Sequence, residues 1–219
     1  MSMKAAVVSE RGGPEGMKIT KIAIPTPSDT QVLVKVHAYG PNPIDVLIRA
    51  GHFPPPPFVT GGGSVPYTDG MDGAGTVESV GSKVKHLKKG ERVFWLFSAT
   101  GTCAEYALID AKFVFHLSPK LSYTQGAALG IPFLTALRVI DIKAHAKKGT
   151  TECSSTELVA RWDCWPYKSL SCESECHRSA GTAEVLELVR KCGADHVVNH
   201  RDAERLGRQI LAITKGAGR

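Results

Sequence analysis

The spacing of apolar residues along this chain changes near Leu121, and that change restricts the possible folds more than any other feature of the sequence. Before it, short alternating apolar runs such as Met3–Ser9 and Gln31–Gly40 are separated by turns rich in glycine and proline, which is typical of antiparallel strands. After it, apolar residues recur at helical spacing, and helical and strand patterns then alternate. This predicts an α/β chain, with a β-rich domain over residues 1–120 and part of a doubly wound domain over residues 121–219.

Helices and one strand are predicted in the second part of the chain. Ser122 or Thr124 is a candidate N-cap, and the helix that follows carries Gly126 and Gly130, which indicate close packing against a neighbour. A second helix spans Glu184–Cys192, followed by the strand DHVVNH and a further helix in ERLGRQILAITKG. The apolar face of the second helix is predicted to consist of Val185, Leu188, Val189 and Cys192.

The composition is that of a globular protein with a mildly basic surface. Hydrophobic residues make up 42% and charged residues 22%, and the net charge of +6 suits an anionic cofactor but also an ordinary solvated surface. No stretch has the roughly 20 apolar residues of a membrane span, and the N-terminus lacks the apolar region of a signal peptide. We therefore expect a cytoplasmic protein with reduced cysteines and no membrane association. Nucleic-acid binding is not expected, because no basic patch is interleaved with aromatic residues.

Several motifs in order resemble the medium-chain dehydrogenase/reductase superfamily, and within it the zinc-free quinone oxidoreductases that include zeta-crystallin. They are QVLVKVHAYGPNPIDVLIRAG, PYTDGMDGAGTVESVG, KKGERVF, CAEYALI, QGAALGIPFLTAL and GTAEVLELVRKCGADHVVNH. The resemblance covers nearly all of the chain except about residues 150–180. It implies a GroES-like β-rich domain followed by a Rossmann-type doubly wound domain. It also implies NADPH as cofactor, hydride transfer to a small-molecule quinone or enone, and it allows a homo-oligomer.

The resemblance implies roles for three residues. Asn42 matches an asparagine that would orient substrate or nicotinamide by hydrogen bonds; the alternative is an asparagine that only stabilises the extended turn predicted between its two prolines. Gly181 matches the glycine after the second strand of the nucleotide domain, where the missing side chain lets the cofactor approach the backbone. His200 matches a contact to the adenosine end of the cofactor, and the alternative is an exposed loop histidine.

The resemblance also bears on metal binding. Zinc-dependent relatives place a cysteine at the position of Asn42 and a His-Glu pair at the positions of Met71 and Asp72. Catalytic zinc takes three protein ligands of the His, Cys or carboxylate type, and among these three residues only Asp72 is of that kind. We therefore predict no catalytic metal.

Residues 150–180 contain no glycine, although the resemblance places there the glycine loop that binds the cofactor's pyrophosphate. Four of the six cysteines and two of the three tryptophans lie there instead. A shifted reading of the codons for Glu157–Leu170 permits Ala-Ser-Gly-Ala-Val-Gly-Leu-Leu-Ala, the missing loop and the start of its helix. We infer a disrupted reading frame across about residues 152–178 and expect no regular structure there. The alternative is a genuine insert that binds zinc, but the spacings match no common zinc motif; its ligands would be Cys164, Cys172, Cys176 and His177.

The absence of the glycine loop from residues 150–180 determines which activity we expect. Without a phosphate loop, the chain is expected to be inactive as a reductase. The chain also ends just after ITKGAG, where the family continues, so we expect a truncated Rossmann domain. The alternatives are a non-catalytic fragment, either structural as crystallins are or RNA-binding, and a defunct or mispredicted gene product.

Overall fold

The computed structural model describes residues 1–54, 64–138, 153–155, 176–191 and 193–202, together with residues 205, 208, 209 and 212. Contacts divide the chain into two units, Met1–Ile131 and Pro132–Arg219. This packing boundary lies after Ile131, and the functional division after residue 120 stays a prediction. None of the described helices has the length and apolarity needed to cross a bilayer.

The first unit is built from antiparallel strands. Those described are β1 (Ser2–Val8), β2 (Met17–Ala23), β3 (Gln31–Gly40), β4 (Tyr67–Thr68), β5 (Asp72–Val80), β6 (Arg92–Trp95), β7 (Tyr106–Asp110) and β8 (Val114–His116). They pair in the orders β2-β1-β4 and β7-β3-β5-β6-β8, antiparallel throughout. A bridge between Ala5 and Ala104 links β1 to the segment before β7. The predicted β-rich character of this part is confirmed.

Strand β3 lies at the centre of the core of this unit. Val32 and Val34 face a buried cluster that includes Trp95, whereas Leu33 packs on the opposite face with Leu108. Burial of each such aliphatic side chain contributes about 1.5–3 kcal/mol. Because β3 is covered on both faces, the turn at its C-terminal end is held in a fixed position.

Helix α1 (Pro43–Arg49) begins at that turn. The sequence predicts only an extended turn here, so the helix is a correction. Asn42 is extended, with φ −109° and ψ 149°, as expected before a proline. Pro43, however, occupies the first helical position, where its missing N–H is not needed. Asp45 stabilises the start, because its Oδ2 accepts the backbone N–H of Asn42 at 2.8 Å.

The single helix predicted after Ser122 is interrupted in the structure. Helix α2 (Tyr123–Ala127) starts with a capping box: Ser122 Oγ accepts the N–H of Gln125 at 3.1 Å, and Gln125 Oε1 accepts that of Ser122 at 2.9 Å. Helix α3 (Ile131–Leu137) starts anew. Pro132 explains the break, because a proline cannot continue a helix from the preceding turn. Helix α2 packs against β3 and β5.

The second unit contains a parallel sheet. Its described strands β9 (Cys153–Ser155), β10 (Cys176–Ala180) and β11 (His196–Asn199) lie in the order β11-β10-β9. Helix α4 (Ala183–Lys191) connects β10 to β11. This order and connection are those of one half of a doubly wound fold, so the predicted α/β class is confirmed.

Two predictions in this unit are wrong in part. The segment 152–178 was expected to lack regular structure, but residues 153–155 and 176–178 pair in register within the sheet, because pairing uses backbone groups rather than particular side chains. Leu188 is 49% exposed, since the buried face of α4 centres on Val189. Residues 156–175 and most of the helix predicted in ERLGRQILAITKG lie outside the described residues.

Candidate functional site

The turn after β3 places Asn42 in a network of buried polar groups. Asn42 is 4% exposed, and its carboxamide nitrogen donates to the Gly40 carbonyl at 3.0 Å and to Asp72 Oδ1 at 2.8 Å. Both neighbours are acceptors, so this orientation of the amide satisfies them. The network ties the turn to the start of β5. A role of Asn42 toward a substrate stays a prediction.

Asp72 is the fully buried acid of this network. Its Oδ2 accepts the backbone N–H of Ile131 at 2.7 Å, while Oδ1 accepts the amide of Asn42. A Cβ on Gly130 would collide with the same carboxyl, which confirms the close packing predicted for this glycine. Burial raises the pKa of Asp72 to about 6, against the hydrogen bonds from Ile131 and Asn42.

A second perturbed carboxyl, that of Asp45, lies beside the first. Its Oδ2 accepts the Asn42 N–H, whereas Oδ1 has no hydrogen-bond partner among the described residues. Burial raises the pKa of Asp45 to about 7; the hydrogen bond from the Asn42 backbone opposes this shift, and the charges of Asp69 and Asp72 add to it. This carboxyl therefore gains and loses its proton close to neutral pH.

A buried ion pair anchors the end of α1. Arg49 Nη1 lies 3.1 Å from Asp69 Oδ2, and the two side chains are only 11% and 8% exposed. Of the described atoms nearby, Arg49 Nε and the hydroxyl of Tyr67 lack a hydrogen-bond partner. The pair compensates two charges that would each be costly to bury alone.

A tyrosine–cysteine contact lies near this ion pair. The hydrogen bond with Cys103 raises the pKa of Tyr39 to about 12. Burial raises the pKa of the Cys103 thiol to about 11. Because the thiolate is the reactive form, Cys103 is poorly reactive at neutral pH and is no candidate nucleophile.

The chemistry of the Asn42–Asp72 network bears on metal binding. Both oxygens of Asp72 accept hydrogen bonds from the protein. The part of the chain that the structure describes holds no group of three His, Cys, Asp or Glu side chains arranged for a metal ion. A metal-free site remains a prediction for the whole chain.

The second unit brings Gly181 and His200 together. They follow β10 and β11, whose last residues, Ala180 and Asn199, are paired, and the N–H of His200 donates to the carbonyl of Ala180 at 3.3 Å. The carboxyl edge of a parallel sheet is where doubly wound folds bind nucleotides. A Cβ on Gly181 would lie 2.5 Å from Nε of Arg201, so the Arg201 side chain packs where a larger residue at position 181 would place its own. A role of Gly181 and His200 toward a cofactor stays a prediction.

Sequence reasoning selected Asn42, Gly181 and His200 but missed the acids around Asn42. The spacing Asn42-Pro-Ile-Asp45 is a recognisable helix start and was a usable signal for Asp45. The buried state of Asp72 has no such signal, because it depends on the approach of the backbone at Ile131 from a distant part of the chain.

Comparison with known proteins gives a consistent result. Residues 28–119 match the alcohol dehydrogenase GroES-like domain. The quinone oxidoreductase of Homo sapiens is 38% identical over 211 residues, covering 91% of this chain and 59% of that protein. The chain is thus a homologue of the quinone oxidoreductase family over the part of those proteins that it spans. It spans about three fifths of the length of such relatives, and its second unit is part of a Rossmann-type domain.

Solved structures of family members agree in fold. A quinone oxidoreductase of Pseudomonas syringae superimposes with a TM-score of 0.84 at 25% identity, covering 98% of this chain and 63% of that one. An Escherichia coli quinone oxidoreductase, solved in complex with NADPH, superimposes with a TM-score of 0.79 at 28% identity, covering 97% of this chain and 63% of that one.

Proposed function

We propose that this chain is built as an NADPH-dependent quinone oxidoreductase, which transfers hydride from the nicotinamide to a quinone or a similar enone. The observation that carries the proposal is the paired carboxyl edge of β10 and β11, with Gly181 and His200 side by side, in a chain of this family. A cytoplasmic location and a homo-oligomeric state belong to the same proposal. Cell fractionation and sedimentation velocity test them.

In this proposal the protein supplies position rather than a nucleophile. NADPH, when bound, supplies the hydride, and a proton completes the hydroquinone. Asn42 holds the turn after β3 through its bonds to Gly40 and Asp72. Burial raises the pKa of Asp45 to about 7, so this carboxyl is only partly charged at neutral pH.

We further propose that the unaltered chain reduces quinones only at background level. The glycine loop of such enzymes binds the pyrophosphate through backbone N–H groups, and residues 150–180 contain no glycine. Each charge-assisted hydrogen bond contributes about 1.5–3 kcal/mol. The loss of two or three weakens binding on the order of a thousandfold or more. The alternative is a non-catalytic fragment, for which a structural role is better supported than RNA binding, because no basic patch is interleaved with aromatic residues.

The experiment compares two chains in NADPH-driven reduction of a simple benzoquinone. One is the unaltered chain. The other carries Gly-Ala-Ser-Gly-Ala-Val-Gly in place of the matching residues of 157–170 and the C-terminal part that family members have. Turnover by the second chain alone is the expected result. A second chain that folds and binds NADPH but reduces no quinone would exclude the proposed reaction.

A further inference from the structure

A cavity opens in the first unit where a short segment joins β1 to β3. Residues 103–105 bond to both strands: the N–H of Ala6 donates to the Cys103 carbonyl at 2.7 Å, and the N–H of Val36 donates to the Glu105 carbonyl at 2.9 Å. The cavity at this junction has a volume of about 430 Å³, which is within the range of small-molecule sites. Every described residue of its lining belongs to the first unit.

Short apolar side chains keep this cavity open. The described lining includes four alanines, so no long side chain from these positions fills the space. Two of them, Ala6 and Ala104, are half-buried, and Ile19 in the same lining is 74% exposed. A bound apolar molecule would remove this apolar surface from water, which is favourable.

Two hydroxyl groups in the lining can bind an oxygen atom. The hydroxyl of Tyr39 hydrogen-bonds with the Cys103 thiol. Because sulfur is a weak acceptor, a carbonyl oxygen would give this hydroxyl a better partner. Thr102 is fully buried, and its Oγ1 has no hydrogen-bond partner among the described residues. A buried hydroxyl without a partner is costly, and an acceptor carried in by a ligand would relieve that cost.

The hydrogen-bonding groups inside the cavity are uncharged at neutral pH. The hydrogen bond with Cys103 raises the pKa of Tyr39 to about 12, and burial raises the pKa of the Cys103 thiol to about 11. Burial, with the nearby charges of Lys35 and Arg92, lowers the pKa of His37. All three side chains in the lining are therefore neutral.

The charged residues of the lining lie at its exposed edge and are of opposite sign. They are Lys4 and Glu105, and the backbone N–H of Lys4 donates to Glu105 Oε2 at 2.7 Å. A charged ligand would lose its hydration in the cavity without meeting a buried partner of opposite charge. The lining therefore favours a neutral molecule.

We propose that this cavity binds a small, uncharged, mainly apolar molecule with a carbonyl group, whose oxygen accepts a hydrogen bond from the Tyr39 hydroxyl. Simple aromatic ketones are of this class. The inference is independent of the proposed function, because the lining includes neither Asn42 nor the ends of β10 and β11.

Acetophenone and benzoate test the inference on the full chain. They are similar in size, but acetophenone is neutral and benzoate is an anion. We expect acetophenone to shift the amide NMR signals of Ala6 and Ala104 saturably, and benzoate to leave them unchanged. Tyr39→Phe should weaken acetophenone binding by about two- to tenfold, the effect of one neutral hydrogen bond. Tyr106→Phe is the matched control, because this half-buried tyrosine lies outside the lining.

A second pair of variants tests the volume. Ala6→Leu places a larger side chain in the cavity and should abolish the saturable shifts, whereas Ala23→Leu, at an exposed position of β2 outside the lining, should keep them. The inference is overturned if acetophenone leaves the lining signals unchanged, if benzoate shifts them equally, or if Tyr39→Phe binds acetophenone as tightly as the unaltered chain. Tyr39 is 46% exposed, so the loss of its hydroxyl leaves the fold intact and this test stands even if Ala6→Leu does not fold.

Discussion

Replacement of Asp45 by asparagine should remove a large part of the pH dependence of the stability of the first unit. Asp45 is 6% exposed, and Oδ1 has no partner among the described residues. Its folded pKa of about 7 lies above the ordinary value of 3.8. The folded state therefore binds more protons in this window, and stability is lost as the pH rises through it. Asparagine keeps the acceptor for the Asn42 N–H but carries no charge.

The magnitude follows from the pKa values. The shift of about three units corresponds to roughly 4 kcal/mol in total. Between pH 5 and pH 8, the linkage relation assigns about 2–3 kcal/mol of lost unfolding free energy to Asp45. The loss between these pH values should therefore be smaller by about that amount in Asp45→Asn.

Urea unfolding at pH 5 and pH 8 measures this difference. Trp95 is fully buried in the core, and its fluorescence reports the first unit once Trp162 and Trp165 are replaced by phenylalanine. Asp29→Asn is the control, because hydrogen bonds from Ser82 and Lys83 lower the pKa of this exposed acid, so its contribution is lost only at lower pH. An unchanged pH 5 to pH 8 difference in Asp45→Asn would refute the assignment.

The other predictions concern packing, charge and metal. Gly130→Ala should destabilise the first unit by about 1–3 kcal/mol in thermal unfolding, because the new Cβ would meet the buried Asp72 carboxyl. Gly13→Ala is the control and should cost little, because its Cβ would meet only a flexible glutamate side chain. Equal losses of stability in the two variants would contradict the packing at Gly130. Arg49→Met should cost about 3–5 kcal/mol in urea unfolding, since it leaves Asp69 buried without its partner, and Asp69→Asn in the same chain should recover part of that loss. Elemental analysis should find no stoichiometric zinc; one tightly held zinc, lost when the cysteines of the segment 152–178 are replaced, would support a genuine insert.

Much of the first unit can be predicted from alternation alone. The alternation in β3 predicts that Val32, Val34 and Val36 share one face, and the structure buries the first two fully and Val36 in part. Helix α1 was not predicted, because the two prolines around Asn42 were interpreted as an extended turn. A proline is also common at the first position of a helix. The break between α2 and α3 was not predicted, because apolar residues continue at helical spacing across Pro132. Proline has no backbone N–H, so it cannot donate the hydrogen bond that would continue the helix.

The candidate site, too, was predictable only in part. Local patterns and the resemblance selected Asn42, Gly181 and His200. The pairing of Arg49 with Asp69 and the placement of Arg201 over Gly181 are contacts between residues twenty positions apart. Such contacts follow from the packing of strands and turns and leave no periodic trace in the sequence.

The affinity of the unaltered chain for NADPH tests the central claim most directly, since the claim is that a quinone oxidoreductase fold here lacks its phosphate loop. Titration followed by NADPH fluorescence, beside the chain with the restored loop and C-terminal part, compares the two affinities. We predict that the unaltered chain binds NADPH more weakly than the restored chain by on the order of a thousandfold or more. Micromolar binding by the unaltered chain, with quinone reduction above background, would contradict it.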